Sequence, residues 1–579
     1  MMKNFEYKIR RFFRFTIYSL LPLVGGGWVG ASCSDMLETE SELVEYEKDN
    51  TLNHATDSVY SVMGIINRMQ IIADRTMLLG ELRGDLVTTT DAASADLKRL
   101  AAFDQNGANK YYKISDYYAV INNCNYYLAH VDTMLTRRGR ELFKYEYAAV
   151  KAFRAWTYLE LAKAYGSVPL VLTPVMTEKA ASDAMNQDYK DITAICNYFI
   201  SDLTPYAKVE LPQFGAINQQ DSKEFFIPMR ALLGDLCLWA GRYQEAAYWY
   251  HDYLNDKDNP VTMNYSNRTR WIGITNFQSQ IPANVYSVTD NMERLTYIPM
   301  EARVFDGTIS ELPDIYQSTT QNKFYFQAQP STALRRLSAA QTYCIEYKNN
   351  TITDTIYAPT EAVNYRDGIY VGDLRLSAYY RQSSYGQDEY SEYSSLTQSI
   401  SKFYRDRIII YRKSMVYLRY AEALNRAGYP QSAFAILKYG ICNEIVNERV
   451  DSVERAAAGE LIYFDPNMFT KETSLGIHSF GSGDSECNKY YQLPVPADSL
   501  NSRQDTIDYQ IPLVEDLIIN EMALEGALEG YRFYDLMRVA LRRGDAAYLA
   551  DPVSRRNGDK DESLYQLLLN KQNWYLPKR

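Results

Sequence analysis

A mostly α-helical protein is what this sequence predicts, its helix pairs forming a scaffold and its long irregular or short-strand insertions carrying the ligand face. Three observations predict it. Apolar residues return at i, i+3 and i+4 over long stretches, the period of a helix with one buried face. Two segments far apart repeat one set of small and large residues at the same offsets. Between them, and again near residues 460–510, the helical period gives way to Asn, Ser, Thr, Tyr, Gly and Pro.

The chain opens on a leader, residues 1–32. Lys3, Lys8, Arg10, Arg11 and Arg14 are followed by an apolar core from Phe15 to Val29 and by the small residues Gly30, Ala31 and Ser32. A membrane-spanning helix needs about 20 apolar residues, and Pro22 and three glycines interrupt this shorter core. It reads as a signal peptide. Cys33 stands where a bacterial lipoprotein signal carries its acceptor thiol, so lipidation is expected there. Several acyl chains at about 0.8 kcal/mol per buried CH₂ would anchor the chain to a membrane and leave its bulk in water. Residues 34–50 are acidic and aperiodic and read as a tether.

Residues 51–254 form the first helical region. Val59, Met63, Ile66 and Met69 keep helical spacing, and the pattern continues through residues 114–135 and 146–166. Gly166 with Pro169 just beyond is a helix stop. In residues 225–254, Gly234 precedes Ala246 by twelve positions and Tyr250 by sixteen. In residues 414–440, Ala421 precedes Ala433 and Leu437 by the same offsets. Small residues at these places let two helices approach, and a large residue four further on fills the groove, as in tetratricopeptide pairs. Residues 255–410 are the irregular ligand-face region, and residues 411–579 a second helical region with a loop insertion at 460–510. Long irregular stretches on a helical scaffold are usually functional.

Composition narrows the chemistry. A formal charge of −11 argues against a nucleic-acid partner, since phosphate binding needs a basic face. Cys124, Cys196, Cys237, Cys344, Cys442 and Cys487 are scattered without a CxxC and read as buried free thiols. His54, His130, His251 and His478 form no HExxH, so no metal site or cofactor is expected. The 51 tyrosines against 21 phenylalanines and 6 tryptophans suit wet, aromatic-lined surfaces or helix-pair cores with the hydroxyl at the edge.

Several motifs occur in order. These are ELRGDLV (81–87), YYAVINNCNYYL (117–128), EYAAVKAFRAWTYLELAKAYGSVPLV (146–171), GDLR (372–375), YLRYAEALNRAG (417–428), EGALEGYRFYDLMR (525–538) and the closing NWYLPKR. Together, behind the Cys33 leader, they resemble the SusD/RagB family of outer-membrane nutrient-uptake lipoproteins. The resemblance implies tetratricopeptide-like helix pairs with a loop-rich ligand face, and capture of oligosaccharide or peptide at the cell surface. It also implies delivery to a SusC-like TonB-dependent barrel, a lipid-anchored outer-membrane location, and no enzymatic activity.

The ligand face is expected on residues 85–112 and about 265–330. Trp271, Tyr297 and Tyr316 are the expected stacking platforms, with Asp85, Asp91 and Asn106 as polar contacts. Glu525 and Glu529 invite a catalytic reading. They stand four apart, however, as neighbours on one helix surface with Arg532 and Arg538 near, whereas glycosidase carboxylates face each other across the bond. A structural ion-pair network is the better reading. The alternative function is a tetratricopeptide-type accessory lipoprotein that binds another protein and no nutrient.

Overall fold

The computed structural model describes residues 55–217, 219–263, 270–272, 279–281, 293–300, 308–317, 326–349, 352–358, 372–384, 396–400, 402–496 and 502–578. Cys33, with the leader and tether around it, lies outside them. Among the described residues no helix is long and apolar enough to cross a membrane.

Among the described residues, eleven helices carry the scaffold. The first, α1 (Ala55–Glu81), buries Val62, Ile65, Ile66, Met69, Ile72 and Ala73, a single stripe at helical period. Then come the short α2 (Ala95–Ala101), α3 (Ser115–His130) and α4 (Lys144–Tyr165). Helix α4 is buried on nearly every side and stops at Gly166, whose φ of 74° no other residue adopts cheaply. Next are α5 (Ile192–Leu203), α6 (Met229–Trp239) and α7 (Tyr243–Leu254), followed by α8 (Lys413–Arg426), α9 (Pro430–Lys438) and α10 (Arg503–Glu525). The series closes with α11 (Arg532–Arg543), which packs back on α1. Successive helices pack as neighbours from α3 through α7, and α8 then packs on α7, α9 and α10.

The repeated offsets have a direct physical cause. A Cβ on Gly234 would lie 2.5 Å from the Tyr250 ring, so only glycine lets α6 and α7 close over it. In the second pair Ala421, Ala433 and Leu437 are fully buried between α8 and α9. Pro430 opens α9, where its missing N–H is no loss.

The motifs lock these layers together through buried polar contacts. Asn125 accepts from Arg154 (3.0 Å) and donates to the Val171 carbonyl (3.0 Å), joining the second and third motifs. Glu422 of YAEALN pairs with Arg538 of the EGYR segment. Burial pushes the Glu422 carboxyl up, but Arg538 and Arg542 outweigh it and hold it at about 2. The terminal NWYLP segment docks on the end of α4, where the Leu576 N–H donates to the Ala164 carbonyl (2.8 Å) and Trp574 is fully buried.

Short strands pin the irregular region. β1 (Val87–Thr89) pairs with β5 (Ala328–Pro330). β2 (Arg270–Ile272) pairs with β3 (Ser279–Ile281), and β4 (Arg294–Pro299) with β8 (Arg407–Arg412). β6 (Tyr343–Asn349) and β7 (Ile352–Ala358) form a hairpin. All are antiparallel. The β4–β8 pair brings residues near both ends of the 255–410 region onto the scaffold.

Two features differ from the sequence reading. Many of the large tyrosines are buried core residues, and some of their hydroxyls satisfy buried acceptors: Tyr118 donates to the Pro169 carbonyl (2.8 Å) and Tyr250 to Asp235 (2.6 Å). The Gly/Ser-rich stretch His478–Glu486 is not an open loop. His478 to Gly483 are buried, and a Cβ on Gly481 would sit 2.1 Å from the Asp373 carboxylate. The small residues are there for close packing.

Candidate functional site

The fold joins the two segments expected to carry the ligand face through pairs of residues more than 200 positions apart. After α1 the chain turns at Gly84 into β1, which pairs with β5 in the register Val87↔Pro330, Thr88↔Gln329, Thr89↔Ala328. The Thr90 N–H donates to the Gln327 carbonyl (2.9 Å), and the Thr90 hydroxyl to the Phe326 carbonyl (2.6 Å). The Gln327 amide oxygen accepts from the Ser94 N–H (2.9 Å), and the Ser94 hydroxyl in turn caps α2 by accepting from Leu97. Ser331 closes the other side, its hydroxyl donating to the Asp85 carbonyl (2.5 Å).

A second contact fixes the far edge. Lys110 Nζ meets Glu311 Oε2 at 2.6 Å with both side chains half exposed. Asp74 accepts from the Ser310 hydroxyl (2.8 Å) and the Glu311 N–H (2.6 Å), and burial pushes its carboxyl up to about 6. The outcome is one polar ledge on which Asp91, Lys98, Asn106, Lys110 and Glu311 are exposed. Lys98 donates to the Asp91 carbonyl (2.9 Å), and the Asn106 N–H to Asp104 (2.9 Å), so short-range bonds hold the loop on both sides of α2. Tyr111 and Tyr112 turn inward and are buried. The described ledge thus offers hydroxyl-binding groups of both charges.

Three of the expected contacts sit elsewhere. Asp85 faces inward: Arg532 Nε and Nη2 reach its two carboxylate oxygens at 2.6 and 3.0 Å, with both side chains 7% exposed. The fork engages both oxygens, and its burial keeps the carboxylate out of reach of a sugar. Tyr297 lies in β4, 2% exposed, its ring edge-on to Phe225 at 5.3 Å and under Arg294. Tyr316 is 1% exposed and stacks on Phe403 at 4.6 Å. Neither offers a free ring face as placed. Residue type and a loop-like context suggested a platform, whereas long-range packing claimed both rings. Trp271 stands in β2, paired with Gln280 of β3, and its side chain lies outside the described residues. Asp91 and Asn106 are on the ledge, exposed. Sequence reasoning missed Lys98, Lys110 and Glu311. All three lie inside the expected segments 85–112 and 265–330, but nothing local says that Glu311 returns to Lys110.

The carboxylates of EGALEG belong to a buried ion network. Helix α10 ends at Glu525, so Glu529 lies beyond it in a turn where Leu528 has φ 69°, and the two are not neighbours on one helix face. Arg375 Nη1 meets Glu525 at 2.9 Å, and Arg412 Nη1 meets it at 2.8 Å. Lys402 and Arg412 hold Glu529 at 2.7 and 2.8 Å. The nearby Arg532 and Arg538 are engaged with Asp85 and Glu422. Burial pushes the Glu525 carboxyl up, but Arg412 and Arg375 overcome it and hold it at about 2. A general acid needs a carboxyl that keeps its proton near neutral pH, and Glu525 is tuned the opposite way.

The fold is thus a scaffold of tetratricopeptide-like helix pairs that presents a polar, loop-built ledge. The SusD family model matches residues 378–575. Among solved structures, a SusD superfamily protein from Bacteroides vulgatus ATCC 8482 is 15% identical. The match covers 91% of this chain and 96% of that one with a TM-score of 0.56. A SusD superfamily protein from Bacteroides fragilis NCTC 9343 is 17% identical, with 89% and 94% covered and a TM-score of 0.53. A SusD-like carbohydrate binding protein from the same strain is 16% identical, with 86% and 88% covered and a TM-score of 0.52. No curated protein sequence matches the chain. The C-terminal third of the chain thus matches the SusD family model, and the chain as a whole shares its fold with these SusD superfamily structures.

Proposed function

We propose that this protein is a lipid-anchored outer-membrane lipoprotein that captures oligosaccharide at the cell surface and passes it to a SusC-like TonB-dependent barrel. The observation that carries the reading is the ledge. Two segments distant in sequence are joined into one exposed surface with carboxylate, amide and ammonium groups, on the fold shared with a carbohydrate binding protein. Sugar hydroxyls take hydrogen bonds from such groups, and the β2–β3 segment with Trp271 is the proposed source of a stacking ring. Cys33 supplies the anchor. Peptide is the runner-up ligand, since the ledge carries both charges.

The test is calorimetric titration of the mature chain with neutral oligosaccharides, acidic oligosaccharides and short peptides. Trp271→Ala should weaken binding about 5- to 150-fold, equivalent to about 1–3 kcal/mol, while the melting temperature holds. A large fall in melting temperature with affinity unchanged would make Trp271 a packing residue. Cys33→Ala should release the chain from membranes; retention through carbonate washes would refute the anchor. Failure to bind any ligand class, with tight association to a non-barrel protein, would favour the accessory scaffold.

A further inference from the structure

The hairpin β6–β7 is stitched to the buried stretch that follows α9, and two thiols meet at the seam. Cys344 Sγ and Cys487 Sγ are 3.5 Å apart, from positions 143 residues apart in the chain. The backbones on both sides are fixed. Cys344 forms a parallel bridge with Gly483, and its carbonyl accepts from the Asp484 N–H at 2.6 Å. The Asp484 carboxylate accepts from the Glu346 N–H at 3.1 Å. The Asn488 amide donates to the Thr342 carbonyl (2.8 Å), and the Tyr357 hydroxyl to the Cys487 carbonyl (3.3 Å). Gly483, at φ 77°, is what permits the approach, since a Cβ there would lie 2.1 Å from the Cys344 carbonyl oxygen.

We propose that Cys344 and Cys487 are a redox modification site, a dithiol that exchange with an external disulfide converts into a cross-link between hairpin β6–β7 and the 478–488 segment. A disulfide needs sulfurs about 2.05 Å apart, so they must close by roughly 1.5 Å, a movement within reach of side-chain rotation on a held backbone. The two thiols differ in a useful way. Cys344 is buried, whereas Cys487 is partly exposed and open to an incoming disulfide. The hydrogen bond between them holds the Cys487 thiol below its usual range, giving it the thiolate character that attack requires.

The chemistry balances. The Cys487 sulfur attacks one sulfur of an exchangeable disulfide RSSR, forming a mixed disulfide and releasing the first RSH. The Cys344 sulfur then attacks Cys487 Sγ and releases the second RSH. Two protein thiols are oxidised and one external disulfide is reduced to two thiols, with oxidised glutathione or an oxidised dithiol protein as the co-reactant.

The experiment uses the full mature chain carrying Cys33→Ala, purified under reductant and incubated with oxidised glutathione. The chain is then denatured and alkylated, and its labelled cysteines are counted by mass. Six thiols should label before oxidation and four after, and a digest should yield a peptide pair joining Cys344 to Cys487. Cys344→Ser should stop at the first step and carry one glutathione on Cys487. Cys487→Ser should label five thiols before and after. Six labelled thiols from an oxidised chain that keeps its circular dichroism, or a linkage mapped to any other pair, would overturn the proposal.

Discussion

Asp85 separates a ligand contact from a fold lock. Its carboxylate pairs with Arg532, 447 residues away in sequence, at the junction between α1 and α11, and both side chains are 7% exposed. Replacing Asp85 with Ala removes two charge-assisted bonds, each worth about 1.5–3 kcal/mol. The guanidinium keeps its bond to the Ile519 carbonyl (3.2 Å) and remains buried. Breaking one side of such a pair costs about 3–5 kcal/mol, a large share of the roughly 5–15 kcal/mol that holds a typical domain. Urea denaturation of the Cys33→Ala mature chain measures it. Asp85→Asn, which retains an acceptor, should lose less. The double variant Asp85→Leu with Arg532→Met should recover much of the loss, because an apolar pair no longer strands a buried charge. A loss under about 1 kcal/mol for Asp85→Ala, with ligand affinity down about tenfold or more, would make Asp85 a ligand contact and not a lock.

Two further perturbations probe the same junction. Gly530 has φ 87°, and a Cβ on it would lie 2.2 Å from the Thr76 carbonyl oxygen, so Gly530→Ala should cost about 2–5 kcal/mol. Gly544→Ala, at φ 69° with nothing within 4 Å, is the control and should cost only about 1–2 kcal/mol. Equal losses in a denaturation series would remove the argument from close approach. Burial pushes the Glu81 carboxyl up to about 7 despite the Gly530 N–H that it accepts at 2.9 Å. The folded chain therefore holds this proton more tightly than the unfolded one, and stability falls as pH rises from about 4.5 to about 7. That change amounts to roughly 3 kcal/mol. Glu81→Gln cannot titrate, so its stability relative to the parent should improve by about that amount between pH 4.5 and 7.5; a constant difference across the window would refute the assignment.

The family motifs were legible as sequence, but their purpose was not. Nearly all of them turn out to hold one another. Glu81 and Asp85 of the first motif receive Gly530 and Arg532 of the sixth, Glu422 receives Arg538, and Arg375 of GDLR bridges Asp373, Glu521 and Glu525. An Asp at a helix end reads equally as a ligand contact or a lock, and only its burial decides. Half of the proposed ledge was visible, because residues 85–112 are a polar break in a helical run. The pairing of Glu311 with Lys110 was not, because nothing local marks where residue 311 packs.

What the amino-acid sequence determined by itself is everything with a short period. It specified the helices, the stop at Gly166, and the close pairing of Gly234 with Tyr250 sixteen residues on. These follow from contacts between near neighbours, whose geometry the helix repeat sets in advance. Tertiary structure alone decided which tyrosines face solvent, which carboxylates meet which arginines, and that Cys344 lies beside Cys487. Such choices depend on how the layers stack. A side chain's type states what partners it can accept, and only the folded path of the chain states which of them arrive.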